Sequence, residues 1–341
     1  LTEDFRLDGI IYEKEHSFYV PLEQRQYRVI KALFSKQTKF QDNTFYDVSG
    51  WTMPLAMDID FNRVGRTWGL KLAGNAWEAP TKISSGDNME KQSYTYAFEW
   101  HHFLAPKLLN ELLNKGIKAK VATKPFSSRL TNKGKVENKD FAVGSIIIPA
   151  GLQTQKNWRE IVMESSQKID IPLSSLHTGL TVKGIDIGSG SFRLLNPIKV
   201  LMVGGKGVSQ YESAEILFYL DDTLSIPVTV VEQQRLSIID LSAYSHIIMV
   251  DGKYNSLRKS NVDKISAWIK NGGVIYSQKR GAKFLSEYEL LSVSFVTKDE
   301  INQLFDTDNL QYQDKEKLAA RKRIAGAIFE STLDISHPLA Y

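Results

Sequence analysis

Cysteine is absent from all 341 residues. That excludes disulfides, zinc–thiolate sites, iron–sulfur clusters and a cysteine nucleophile. Long apolar runs are missing as well, and none approaches the ~18 residues that a membrane span needs. Net charge is small. The 43 Lys and Arg against 39 Asp and Glu leave +4, too little over this length for a nucleic-acid footprint. No repeat of short period runs through the chain. It opens on Leu1 without a signal-peptide pattern and ends on His-Pro-Leu-Ala-Tyr, so it reads as a piece of a longer protein. What is present is ordinary globular material: 42% hydrophobic and 24% charged residues, enough for sizeable cores. The length suggests about two domains at ~150 residues each.

Residues 1–65 read as a small α+β segment. The apolar runs Ile10–Tyr12 and Phe18–Val20 flank a polar stretch, which predicts a hairpin or two strands joined by a polar turn. The stretch Leu22–Gln37 has helical spacing and follows Pro21. An aromatic-rich stretch with Phe45, Tyr46 and Trp51 comes next. Residues 66–90 are weakly periodic and read as loop, with Ile83–Gln92 as its most open tip. From 92 to 195, strands and helices alternate, which predicts a parallel sheet covered on both faces. From 196 onward the alternation resumes in the order of an open, doubly wound, flavodoxin-like sheet. The boundary expected between these two three-layer units is near Pro197.

Candidate chemistry concentrates in the last unit. Gly204, Gly205, Lys206 and Gly207 sit between a strand and a helix and lead to Ser209. Small residues and free amides there suit an anion at a helix N-terminus. The spacing is neither Gly-x-Gly-x-x-Gly nor a Walker motif. Asp251 and Gly252 follow a later strand and would face the same crevice. The strand-to-helix turn of Ser277, Gln278 and Lys279 stands where a doubly wound hydrolase would carry its nucleophile. Neither Gln278 nor Lys279 is a usual acyl-transfer nucleophile, and Ser277 lies one step early. His101 and His102 are adjacent, which makes a poor chelate. No residue is predicted to be a metal ligand or a catalytic group.

Four stretches carry a resemblance. Tyr19–Ala56, the stretch YAFEWHHFLAPKLLNELLNKGIKAKVATKPF, the stretch SGSFRLLNPIKVLMVGGKGVSQYESAEILFYLDD and the closing GAIFESTLDISHPLAY resemble, in that order, the C-terminal region of bacterial zinc carboxypeptidase-like proteins. The third looks like the opening of a class I glutamine amidotransferase-like domain. The resemblance implies a metallopeptidase domain upstream, export to the periplasm or beyond, and peptide substrates. It also implies that zinc belongs to that upstream domain. The family's His-x-x-Glu ligand pair has no counterpart here, and the amidotransferase-like unit has no Cys. The resemblance therefore implies a non-catalytic accessory region giving structural support, substrate presentation or partner binding. A ligand-binding module at the strand-end crevice is the alternative.

Overall fold

The computed structural model describes residues 1–14, 16–36, 52–78, 93–132, 135–305, 310–322, 330–334 and 336–337. The chain is mixed α/β. It divides into two compact units, Leu1–Ala79 with Val296–Leu333, and Pro80–Phe295 with Asp334–Tyr341. Among the described residues, no helix is long and apolar enough to cross a membrane.

In the smaller unit, β1 (Phe5–Leu7) and β2 (Ile10–Tyr12) form an antiparallel hairpin. Asp8 and Gly9 turn it, with φ of 49° and 85°. Two positive φ values give the turn whose twist matches paired strands. This corrects the expected pairing of residues 10–12 with 18–20, which lie outside any strand. The Asp-Gly dipeptide closes a two-residue turn on the other side. Helix α1 (Tyr27–Leu33) is followed by α2 (Met53–Ala56) and α3 (Arg66–Leu72). The helix α3 replaces part of the loop expected after residue 66. Its middle Gly69 lies against Tyr19, whose ring a Cβ there would meet at 2.3 Å, so a tertiary contact, not local periodicity, fixes it. Helices Lys298–Gln303 and Lys315–Arg321 belong to the same unit. Phe45, Tyr46, Trp51, the Ile83–Gln92 tip and residues 324–329 lie outside the described residues. Apart from Pro54, Leu72 is the one large apolar side chain described in this unit that is buried. Phe18, Met57, Trp68, Leu70 and Trp77 are exposed.

The larger unit holds two sheets. The first runs through β3 (Thr95–Phe98), α4 (Ala105–Asn114), β4 (Lys120–Ala122), β5 (Phe126–Asn132), β6 (Lys135–Phe141), β7 (Ile146–Pro149), α5 (Trp158–Ile169), β8 (Ser174–Leu176), β9 (Lys183–Gly184) and β10 (Phe192–Leu194). Its order is β10-β4-β7-β3-β8-β5-β6, with β9 on β5, and every pairing is antiparallel. The expected parallel sheet is not formed here. The helix α4 does join two parallel strands, β3 and β4, but β7 inserts between them. The helix α5 likewise joins β7 and β8 around β3. This doubled split β-α-β plan, as in ferredoxin-like sheets, has the same local alternation as a wound sheet. Strand parity then separates two cores. Tyr96, Phe98, Ile146 and Ile148 pack with Leu108, Leu112, Trp158 and Val162 of the helices. Ala97, Ile147 and Leu176 pack with Phe126, Phe141 and Phe192.

The second sheet comprises β11 (Val200–Gly204), β12 (Val228–Glu232), β13 (His246–Met249) and β14 (Val274–Ser277). The order is β12-β11-β13-β14, all parallel. The helix α6 (Gln210–Leu217) leads from β11 towards β12 and continues as π-helix through Phe218–Thr223. Helix α7 (Lys259–Lys270) joins β13 to β14, and α8 (Lys279–Glu287) follows. Short 3₁₀ turns replace a helix between β12 and β13. Lys264 of α7 secures them, donating to the carbonyls of Leu236, Ser237 and Ile239. The two sheets meet at α4. Lys107 donates to Thr223 O at 2.9 Å and Asn110 to Ser225 O at 2.8 Å, and Leu104 packs on both cores.

Candidate functional site

The strand order of the parallel sheet reverses between β11 and β13, and ligands of open α/β sheets bind outside the strand ends at such a point. The glycine-containing turn after β11 lies there. Gly205 and Gly207 have φ of 95° and 93°, which costs glycine little and other residues more. A Cβ on Gly207 would sit 2.9 Å from Lys253 O. That closeness is used: Val208 and Gly252 form an antiparallel bridge. Ser209 N donates to Asp251 O at 2.8 Å and Lys253 N to Gly207 O at 2.9 Å. The turn after β11 and the turn after β13 are thus zipped together across the switch point. Gln233 adds a cross-tie, its Nε2 donating to Lys206 O and Lys253 O, both at 3.0 Å.

Ser209 caps α6, its Oγ accepting from Glu212 N at 3.4 Å. Glu212 is the hub of the cluster. Its Oε2 accepts from Asp251 N at 2.9 Å and from Gln278 Nε2 at 2.7 Å, and its Oε1 pairs with Lys279 Nζ. Burial pushes this carboxyl up, but the bonds from Lys279, Asp251 N–H and Gln278 outweigh burial and hold it below the usual carboxylate range. Asp251 makes a forked pair with Arg280, Oδ1 to Nε at 2.6 Å and Oδ2 to Nη2 at 2.8 Å. The Arg280 hydrogen bond lowers the Asp251 carboxyl in turn.

Ser277 ends β14 opposite Met249 of β13. Gln278 N donates to Met249 O at 3.1 Å, and its Oε1 accepts from Tyr276 OH at 3.0 Å. Lys279 starts α8 with φ of 47°. A non-glycine residue in that region is uncommon, and such backbone positions persist where the surrounding structure holds them. Gly281 lets α8 approach β13: a Cβ there would meet Met249 O at 2.6 Å. The Glu212 hydrogen bond raises the Lys279 amine. It is held as an ammonium, without the lone pair that nucleophilic attack requires.

The structure therefore brings together Gly207, Ser209, Asp251, Gly252, Gln278 and Lys279, all singled out from sequence. Gly204 ends the strand behind them, Gly205 opens the turn, and Lys206 is exposed and joins through its carbonyl. Glu212, Gln233 and Arg280 are central but were not singled out. Glu212 stands three residues after Ser209, the spacing of a capping box, which would mark it as a cap. Its carboxylate instead reaches across to the turns after β13 and β14.

A second carboxylate cluster lies between the helices of the antiparallel sheet. Glu111 of α4 pairs with Lys115 at 2.7 Å and Lys168 at 3.1 Å and accepts from Ser165 Oγ at 2.9 Å. Burial raises this carboxyl, but those three donors bring it down to about 2. His101 and His102 stack on each other at 4.4 Å between centroids. Among the described residues, no three His, Asp or Glu side chains converge as metal ligands do. Depressions of about 440 and 470 Å³ lie beside Ser286–Ser294 and beside Asp240, Lys264 and Trp268, and neither is lined by the Glu212 cluster. No family profile, curated protein or solved structure matches this chain.

Proposed function

We propose that this chain is a non-catalytic accessory region of a zinc carboxypeptidase-like protein, giving structural support, substrate presentation or partner binding. On this reading, residues 196–341 carry a flavodoxin-like unit of the class I glutamine amidotransferase type. The chemistry would belong to an upstream metallopeptidase domain acting on peptides, in the periplasm or outside the cell. The observation that carries the reading is the state of the strand-to-helix turn after β14. Where a nucleophile would stand, Lys279 has a positive φ and its ammonium is tied to Glu212. The parallel order β12-β11-β13-β14 supports the flavodoxin-like part. The smaller unit's exposed Phe18 and Trp77, packed edge-on at 5.8 Å between centroids, with Met57, Trp68 and Leu70 also exposed, support a role in contact with another protein surface, which contiguous exposed apolar area would mark. The test is hydrolysis of free-carboxylate peptides and of L-glutamine by the purified chain supplied with zinc. The reading expects no turnover above the blank. Turnover that disappears in Lys279→Ala would overturn it.

One observation favours a second reading, a ligand-binding module at the same strand ends. Gln233 Oε1 is sealed from solvent and has no hydrogen-bond partner, although its Nε2 is fully engaged. A buried acceptor left unmade is costly, and a donor group of a ligand would satisfy it. A thermal-shift screen with nucleotides, sugars and short peptides tests this. Stabilisation that survives in wild type and is lost in Gln233→Leu supports it, and no shift at millimolar ligand contradicts it.

A further inference from the structure

Far in sequence from the Glu212 cluster, the larger unit carries an arginine that has no counter-ion among the described residues. Arg159 is the second residue of α5. Its guanidinium lies 4.3 Å from the centre of the Trp158 ring. Its Nη2 donates to Ser93 O at a long 3.3 Å. Its Nε is sealed from solvent and bonds to nothing. Among the described residues, no carboxylate forms an ion pair with it. Three partly buried carboxylates of this unit, Glu111, Glu212 and Asp251, each have a cation at 3.1 Å or less, whereas Lys107 and Lys264, like Arg159, donate to backbone carbonyls.

The position makes the missing partner more conspicuous. The first turn of a helix carries partial positive charge, so a cation there is disfavoured. Asn157, the cap residue, makes no side-chain cap bond, and Glu160 is the acidic residue of the first turn. Trp158 is 5% exposed and packs on Tyr96 at 5.6 Å between ring centroids, so the guanidinium rests on a rigid aromatic floor. Arg159 also faces the Tyr96 hydroxyl, and a guanidinium over an aromatic ring with N–H groups to spare can recognise a planar oxyanion by parallel N–H bonds.

We infer that Arg159, supported by Trp158, is the anchor of a binding site for a carboxylate. The carboxylate would lie against the outer guanidinium nitrogens, with the first turn of α5 adding favourable field. The chemistry is that of a small organic acid or a chain-terminal carboxylate. It is independent of the reading proposed for the Glu212 cluster, because none of its residues belongs to that cluster.

The test uses the whole chain and N-acetylglycine as probe, followed by ligand-observed saturation-transfer NMR. Wild type is expected to bind saturably with a Kd of about 1 mM, a few kcal/mol of affinity being typical for a single forked contact. Arg159→Gln should weaken binding at least about ten-fold, and Arg159→Lys, which keeps the charge but loses the fork, should fall between. N-acetylglycinamide, which has no carboxylate, should not bind. Circular dichroism and the melting temperature verify that each variant is folded, and Arg159→Lys remains informative if Arg159→Gln does not fold. Four results would overturn the inference: no saturable signal in wild type, equal binding by folded variants, equal binding of the amide, or tighter binding of inorganic phosphate than of the carboxylate.

Discussion

The two sheets of the larger unit each hold a half-buried glutamate with its acidity strengthened, yet the two glutamates do different work. Glu111 sits between α4 and α5, on the helical side of the antiparallel sheet, and binds side chains of those two helices. Glu212 sits at the carboxyl ends of the parallel strands and binds the turns after β13 and β14. The electrostatic signature is shared: burial opposed by lysine hydrogen bonds, with a lowered carboxyl as the net result. What separates them is location. A lowered carboxylate between two helices is a clamp. The same group at a switch point lies where a wound sheet would bind or transform a ligand, and here it ties together the turns after β13 and β14.

The comparison can be broken most forcefully through the cores. Ile147 and Leu201 are both fully buried, one in each sheet. Replacing either with Ala should cost about 2–5 kcal/mol. Because α4 ties the sheets through Lys107, Asn110 and Leu104, both variants should lower one shared urea transition. Two transitions, each moved by one variant alone, would show that the sheets unfold independently.

Glu111→Gln is expected to have the next largest effect, about 1–3 kcal/mol for a buried hydrogen-bonded charge. Its pH dependence has a defined sign. The folded value of about 2 is below the unfolded value of about 4.3. The stabilisation is therefore complete above about pH 4.3 and is lost as the pH falls towards 2. Denaturation midpoints of wild type should fall across that window, and those of Glu111→Gln should fall less.

A smaller effect is expected at the zipped turns. Gly207→Ala forces a side chain at φ 93° against Lys253 O, and should cost about 1–3 kcal/mol. Hydrogen exchange should accelerate at Val208, Ser209 and Lys253 and stay unchanged around Glu111. Equal acceleration at both clusters would erase the distinction between them.

Much of the parallel sheet was legible in the sequence. The run Val200–Gly204, the apolar strands Val228–Glu232 and His246–Met249, and the helix Lys259–Lys270 all stand where their patterns put them. Val200–Gly204 is buried throughout, His246–Met249 is buried beyond its first residue and the helix buries one face, so local pattern and tertiary position agree there, while the edge strand Val228–Glu232 buries Val231 alone. The antiparallel sheet was legible only as elements. Periodicity marks Tyr96 and Ile147 as buried but is silent on which strand inserts between β3 and β4. The hairpin of β5 and β6 escaped because its residues Lys135–Phe141 are mostly polar. At the site, the glycines and the elbow turn were visible because turns constrain residue type. Glu212, Gln233 and Arg280 were not, because they act across three separate turns that only the fold brings together.

The most direct test of the closed strand-end cluster is the reactivity of Lys279 towards a trace amine-acylating reagent at pH 8, read by mass spectrometry against the other lysines. The account predicts that Lys279, two-thirds exposed at 66% but paired with Glu212, reacts more slowly than unpaired exposed lysines. Glu212→Gln should speed it by about three-fold or more as the amine loses its counter-ion. A Lys279 that outpaces every other lysine in wild type, and slows in Glu212→Gln, would mean an activated nucleophile at the elbow and would contradict the account.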